Sequence, residues 1–264
     1  MTYDWEETLC IAPGSHEWFE EIDRRFMQSA YYARGFDNSP FGRFLKPEVV
    51  KGKEVLEVGC GMGTHAAMLA RAGASLTAID LTERAIKVTK RRFELFGLSG
   101  KIQQADCENL PFSDAAFDTV WSWGVIHHSS HTERCLNEIT RVLRPGGHLM
   151  IMVYYRPSIV YYINCGLIRG VLGGYLLRRS LQEIYVNSSD GFYARVFTKP
   201  ELRAIAEPNY ENVTLNIVGL KAELFPIPRC WLKERLEDAI PDRFASSILS
   251  RWGSMIVMEA EKKR

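Results

Sequence analysis

The chain has 264 residues, a formal net charge of +1 and 25% charged residues, a balance unlike the strong basic bias of proteins built to hold nucleic acid. At 46% hydrophobic it can bury a full core. Its cysteines, at positions 10, 60, 107, 135, 165 and 230, show neither CxxC nor paired Cys/His spacing, so they read as reduced thiols of a cytoplasmic protein with no metal site. The acidic start MTYDWEETLC lacks the charged-then-apolar order of an export signal, and no stretch reads as a clean membrane span.

In chain order, SHEWFEEIDRRFMQSAYYARGF carries Trp18, Phe19, Ile22, Phe26 and Met27 at helical spacing. Residues 1–45 read as an N-terminal helical segment or lid, ahead of a catalytic domain over 46–264. KEVLEVG reads as a buried strand and THAAMLARAG as a helix closed by Gly73. SLTAID is a second strand, and TERAIKVTKRRFELFG is a helix with Thr82 as N-cap and Gly97 as stop. KIQQAD and FDTVWSWG are strands three and four. HTERCLNEITRVLRPGG is a helix, and HLMIMVYY a fifth strand. Strands alternating with helices at this spacing predict a parallel sheet covered on both faces.

The segment 154–198 breaks this pattern and reads as an insertion. Its first part, 154–182, holds four arginines and no acid among apolar runs thinned by glycines. Asn164 and Arg169 interrupt those runs, which argues against a spanning helix. Thr198 and Glu201 then form a capping-box signature, CWLKERLEDAI is helical, and SMIVMEAEK is a closing strand.

The chemistry is concentrated in VLEVGCGMGTH, where Gly59, Gly61 and Gly63 follow an apolar strand carrying Glu57. Such a turn brings a ligand against bare backbone. A dinucleotide would set its pyrophosphate on the helix N-terminus, and Gly61-x-Gly63-x-x-Ala66 with Asp80 downstream keeps an NAD(P)-dependent oxidoreductase open. S-adenosylmethionine instead carries an ammonium and a sulfonium, for which the carboxylate of Glu57 is suited. Asp106 and Cys107, at the end of strand three, can accept from an adenine amino group and donate a backbone N–H to its ring.

VLEVGCGMG followed by AID, ADCENLPF, FDTVW and RVLRPGG resembles the class I S-adenosylmethionine-dependent methyltransferases, and among them the ubiquinone/menaquinone methyltransferase-like subgroup. The resemblance covers about Lys53 to Val153. It implies a Rossmann-like α/β sheet of seven strands in the order 3-2-1-4-5-7-6, mostly parallel with the last strand antiparallel. By the same resemblance Glu57, Gly59, Cys60, Gly61, Met62 and Gly63 hold the methionine end. Asp80 takes the ribose hydroxyls, Leu81 packs on the adenine, Asp106 and Cys107 read its edge, and Ser122 and Trp123 line the methyl group. The family often has Asp at the position of Glu57.

The sulfonium methyl is already activated, so the chain mainly aligns the acceptor and excludes water. Where the acceptor must lose a proton, His128 or His127 is the candidate base, against a packing role for either ring. In such proteins acceptor specificity often lies in the N-terminal helix and the insertion after strand five. Tyr31, Tyr32, Tyr154, Tyr155, Tyr193 and Arg195 are therefore substrate candidates. The expected acceptor is a small molecule, apolar or anionic, with no nucleic acid. The basic, tyrosine-rich stretch 154–182 is either a lid packed on the sheet or a weak membrane-surface contact. A non-catalytic S-adenosylmethionine-binding module is the remaining alternative.

Overall fold

The apolar runs of the first half form the centre of one open sheet because their backbones pair on both sides, leaving every side chain between two covered faces. The computed structural model describes residues 10–264 except 36, 38, 40, 189–192 and 229. Residues 1–9, on which the reading of the extreme N-terminus rests, lie outside the described residues.

Strands β1 (Glu54–Val58), β2 (Ser75–Asp80), β3 (Lys101–Gln104), β4 (Phe117–Trp123), β5 (Leu143–Tyr155), β6 (Val196–Phe197), β7 (Tyr210–Val218) and β8 (Met255–Lys262) make the sheet. The order is β3-β2-β1-β4-β5-β8-β7, with β8 antiparallel to both neighbours. This is the expected seven-strand order, extended by the two-residue β6, which pairs with β5 at Tyr154 and Tyr155.

Around the sheet lie α1 (His16–Ser29), α2 (Pro47–Val50), α3 (Thr64–Arg71), α4 (Glu83–Leu95), α5 (Thr132–Val142), α6 (Leu181–Val186), α7 (Lys199–Ala206), α8 (Trp231–Ala239) and α9 (Asp242–Trp252). Ser15 caps α1, Thr82 caps α4, and Thr198 with Glu201 closes the capping box of α7. Helix α5 stops at Val142, so Arg144-Pro-Gly-Gly147 belongs to the start of β5, where the register against β4 shifts between Phe117 and Thr119. Pro145 has no N–H to give a ladder and Gly146 sits at φ 74°, which makes the run a bulge and not a helix end.

Two cores follow from the strand alternation. Val55, Ala78, Trp121 and Met150 face the side covered by α3, α4 and the N-terminal segment. Leu56, Val58, Val120, Leu149 and Ile151 face α5 and α7. The insertion after β5 folds as a wide, π-type helix (Val160–Leu172), a short turn and α6, with its own small core of Tyr161, Cys165, Ile184 and Tyr185. No helix among the described residues is long and apolar enough to cross a membrane.

Candidate active site

Glu57 is the one acid in β1 whose neighbours on both sides are paired strands, and it is only 2% exposed. Burial, and then the charge of Asp80, pushes its carboxyl up to about 8, while Arg92 acts in the opposite direction. A carboxyl raised from 4.5 to about 8 keeps its proton in the folded chain while the unfolded chain ionises. Its contribution to stability is therefore largest at low pH and is lost as pH rises through that window. Its Oε2 has no hydrogen-bond partner among the described residues.

His65, on the first turn of α3, faces the same space. Trp121 Nε1 donates to its Nδ1 at 2.9 Å. An indole nitrogen can only donate, so the neutral ring carries its proton on Nε2. That atom is buried and has no partner among the described residues. Burial lowers the imidazole pKa to about 3, which keeps the ring uncharged at neutral pH. Phe26, Phe41, Trp121 and Trp123 surround it, with ring centroids 4.8 to 5.4 Å away. Phe41 holds a left-handed φ of 56°, a conformation that costs a bulky residue about 1–3 kcal/mol and sets its ring against His65.

A buried acceptor and a buried donor thus face one cavity of about 620 Å³, whose wall includes Glu57, Gly59, Cys60, Gly61, Met62 and His65. A ligand end with both an ammonium and a carboxylate satisfies both, as the methionine end of S-adenosylmethionine does. A pyrophosphate has nothing to offer the Glu57 side. The glycines divide their work differently from the reading of a bare cradle. A Cβ on Gly59 would lie 2.1 Å from Val125, and one on Gly63 would lie 3.0 Å from Thr89, so internal packing requires both. Only at Gly61 would a Cβ meet nothing within 4 Å. Gly63 caps α3 at φ 77° and is outside the cavity wall.

The adenosine candidates sit on the neighbouring strand tips. Asp80 Oδ2 accepts from the Gly61 N–H at 3.0 Å, and its Oδ1 accepts from the Thr82 N–H and hydroxyl, both at 2.9 Å. Leu81, next to it, is exposed. Strand β3 ends at Gln104, so Asp106 and Cys107 occupy the turn beyond it, where Asp106 Oδ1 accepts from the Glu108 N–H at 2.8 Å. Cys107 and Cys135 bring their thiol sulfurs within 2.9 Å. Trp123 lines the cavity, whereas Ser122 is buried and off its wall.

Of the substrate candidates, Tyr32 and Tyr154 line the cavity. Tyr31 is buried beneath Lys221, 5.4 Å from its ring, and Arg195 pairs with Glu133 at 2.6 Å. Tyr155 and Tyr193 are likewise off the wall. So are His127 and His128. The His127 ring packs at a tilt against His128 and Tyr154, with centroids 4.1 Å from each. His128 Nδ1 lies 2.9 Å from the Tyr193 carbonyl, which fixes the proton on Nδ1 and the lone pair on Nε2.

Sequence reasoning passed over His65, Arg169, Lys233 and Glu223, all of which line the cavity. Glu223 is held by the N–H groups of Leu220 and Ser254 at 2.7 and 2.9 Å, and burial pushes it up to about 7.

Fold and site together define an open α/β sheet whose glycine turn borders a cavity lined by Glu57 and His65. Residues 56–151 match the family described as Methyltransferase domain, and the strand order is that of the class I methyltransferase fold. The chain is 46% identical over 111 residues to phthiotriol/phenolphthiotriol dimycocerosates methyltransferase 1 of Mycobacterium ulcerans, covering 41% of this chain and 40% of that protein. It is 42% identical over 103 residues to the fatty-acid O-methyltransferase of Mycolicibacterium smegmatis, covering 38% and 37%. The matches thus span well under half the length of these curated relatives. An S-adenosylmethionine-dependent methyltransferase of Mesorhizobium loti shares the fold at a TM-score of 0.54 and 16% identity, over 81% of this chain and 92% of its own.

Proposed function

We propose that the protein transfers the methyl group of S-adenosylmethionine to an oxygen of a long, mainly apolar acceptor. The observation that carries this reading is the lining of the cavity. The wall that holds the glycine turn also takes in Trp123, Met152, Tyr154, Val160, Leu220 and Ile227, with the cations of Arg169 and Lys233 among them. An apolar chain suits the walls and an anionic or oxygen-rich group suits the cations. The names of the mycobacterial relatives, one acting on dimycocerosates and one on fatty acids, support the same class.

When bound, the cofactor supplies a methyl already activated by its sulfonium. The chain holds the ammonium at Glu57 and the carboxylate at His65, takes the ribose at Asp80 and the adenine edge at Asp106 and Cys107, and keeps water out with the Trp123 and Tyr154 rings. His65 is the one histidine on the cavity wall among the described residues, and its Nε2 is already protonated, so it cannot serve as base. An acceptor that is ionised before it binds, such as a carboxylate, therefore asks least of the site. His128, off the wall behind Tyr154, is out of direct reach of an acceptor in the cavity, so a hydroxyl acceptor is methylated more slowly than a carboxylate.

Incubation with methyl-labelled S-adenosylmethionine and a long-chain fatty acid, or the matching fatty alcohol, tests this. The expected result is label in the methyl ester, with the alcohol labelled more slowly. Label appearing only in short, water-soluble amines or acids would overturn the acceptor class.

A further inference from the structure

The insertion has two faces of different character. Along Val160–Leu172, Asn164, Cys165 and Arg169 line the cavity. The opposite side leaves Ile163, Leu167, Val171 and Leu172 exposed, and the apolar run continues through Leu176 and Leu177. Leu172 is 76% and Leu177 is 89% exposed, values that water alone does not favour for side chains grouped this closely. Arg178 and Arg179 follow at once, the segment 154–182 has no acid, and Arg179 lies over the Tyr175 ring and within electrostatic reach of Glu183. Ile227, Trp231 and Leu232 are also exposed, in a stretch that mixes Lys233 and Arg235 with Glu234, Glu237 and Asp238 and so has no cationic bias.

We propose that the exposed apolar edge of the insertion docks on an anionic lipid bilayer, the leucines entering the interface and Arg178 and Arg179 meeting lipid headgroup phosphates. Charge fixes the occupant: Arg178 and Arg179 close the exposed apolar run of a segment, 154–182, that holds four arginines and no acid, which matches a negatively charged leaflet. The same segment supplies Asn164, Cys165 and Arg169 to the cavity wall, so docking would bring the cavity close to the hydrocarbon in which a long-chain acceptor is dissolved. That route rests on the acceptor class proposed above; the docking itself does not.

The test is co-sedimentation of the full chain with vesicles of phosphatidylcholine alone and of phosphatidylcholine mixed with phosphatidylglycerol. Partitioning onto the mixed vesicles is expected, weakened about tenfold by Arg178→Glu with Arg179→Glu. Leu172→Ser with Leu177→Ser is expected to weaken it at least about tenfold, with melting temperature and S-adenosylhomocysteine affinity unchanged. A parent protein that stays in the supernatant with the mixed vesicles, or equal sedimentation of parent and variants, overturns the docking. So does a concentration-dependent dimer that the leucine variant abolishes without lipid, because a second copy would then be the occupant. Intact docking with no methylation of any long-chain acceptor would overturn the acceptor reading alone.

Discussion

Asp80→Ala weakens S-adenosylmethionine binding by roughly a hundredfold to ten-thousandfold, the equivalent of two hydrogen bonds to a charged acceptor at about 1.5–3 kcal/mol each. Two losses combine. The side chain is the acceptor that fastens the Gly61 N–H and the Thr82 N–H, so it shapes the glycine turn from the neighbouring strand. Its proposed second task is to receive the ribose hydroxyls. Asp80→Asn separates the two, because an amide keeps one acceptor oxygen for the turn while losing the charge. Calorimetric titration reads the affinity, and thermal unfolding without ligand reads the turn. Parent-like affinity in Asp80→Ala would remove the ribose assignment.

The second large effect belongs to an ion pair away from the ligand. Arg92, on α4, is 0% exposed, and its Nη1 donates to both carboxylate oxygens of Asp23 on α1, at 2.8 and 2.9 Å. The guanidinium lies 4.5 Å over the Phe19 ring, and its Nε and Nη2 have no partner among the described residues. Asp23 also accepts from the Thr64 hydroxyl at 2.9 Å, so the N-terminal helix is tied both to the sheet domain and to the first residue of α3. Asp23→Ala leaves a buried cation uncompensated, and a loss of about 3–5 kcal/mol in urea unfolding is expected. Asp23→Ala combined with Arg92→Met removes the stranded charge and should recover most of that loss. An equally unstable double variant would show that the pair is not what holds α1 in place.

The parts of the molecule legible from sequence were those where local pattern and burial agree. The short, mainly apolar segments of β1, β2, β4 and β5, alternating with helices at regular spacing, read as strands covered on both faces, and the caps at Thr82 and Thr198 stand where side-chain chemistry puts them. Other parts depend on contacts that no spacing records. The π-type helix at Val160–Leu172 forms from an apolar stretch with no period of its own, held by a small core shared with α6. Helix α9 was passed over because only Ala245 and Leu249 of DRFASSILSRW are buried, too narrow a stripe to read.

The same distinction runs through the site. Glu57 and the glycines stood out by their motif, while His65 gave no signal beyond being a histidine after it. Its meaning comes from Trp121, 56 residues later, which fixes its proton on Nε2. A histidine following the glycine turn, together with a tryptophan in strand four, was the signal available. The candidate bases show the reverse. His127 and His128 attracted notice as titratable residues, yet their place is a cluster of rings beside the cavity.

The central claim is that a carboxyl shielded from water at the end of β1 receives a cationic ligand group, and proton counting tests it most directly. In the free protein the carboxyl of Glu57, raised to about 8, holds its proton at neutral pH. An arriving ammonium and sulfonium favour the ionised form, so S-adenosylmethionine binding measured calorimetrically in buffers of different ionisation enthalpy should release close to one proton. Glu57→Gln should bind more weakly and abolish that release. Binding without proton release in the parent, the same release in the variant, or NAD taking the site instead would contradict the account.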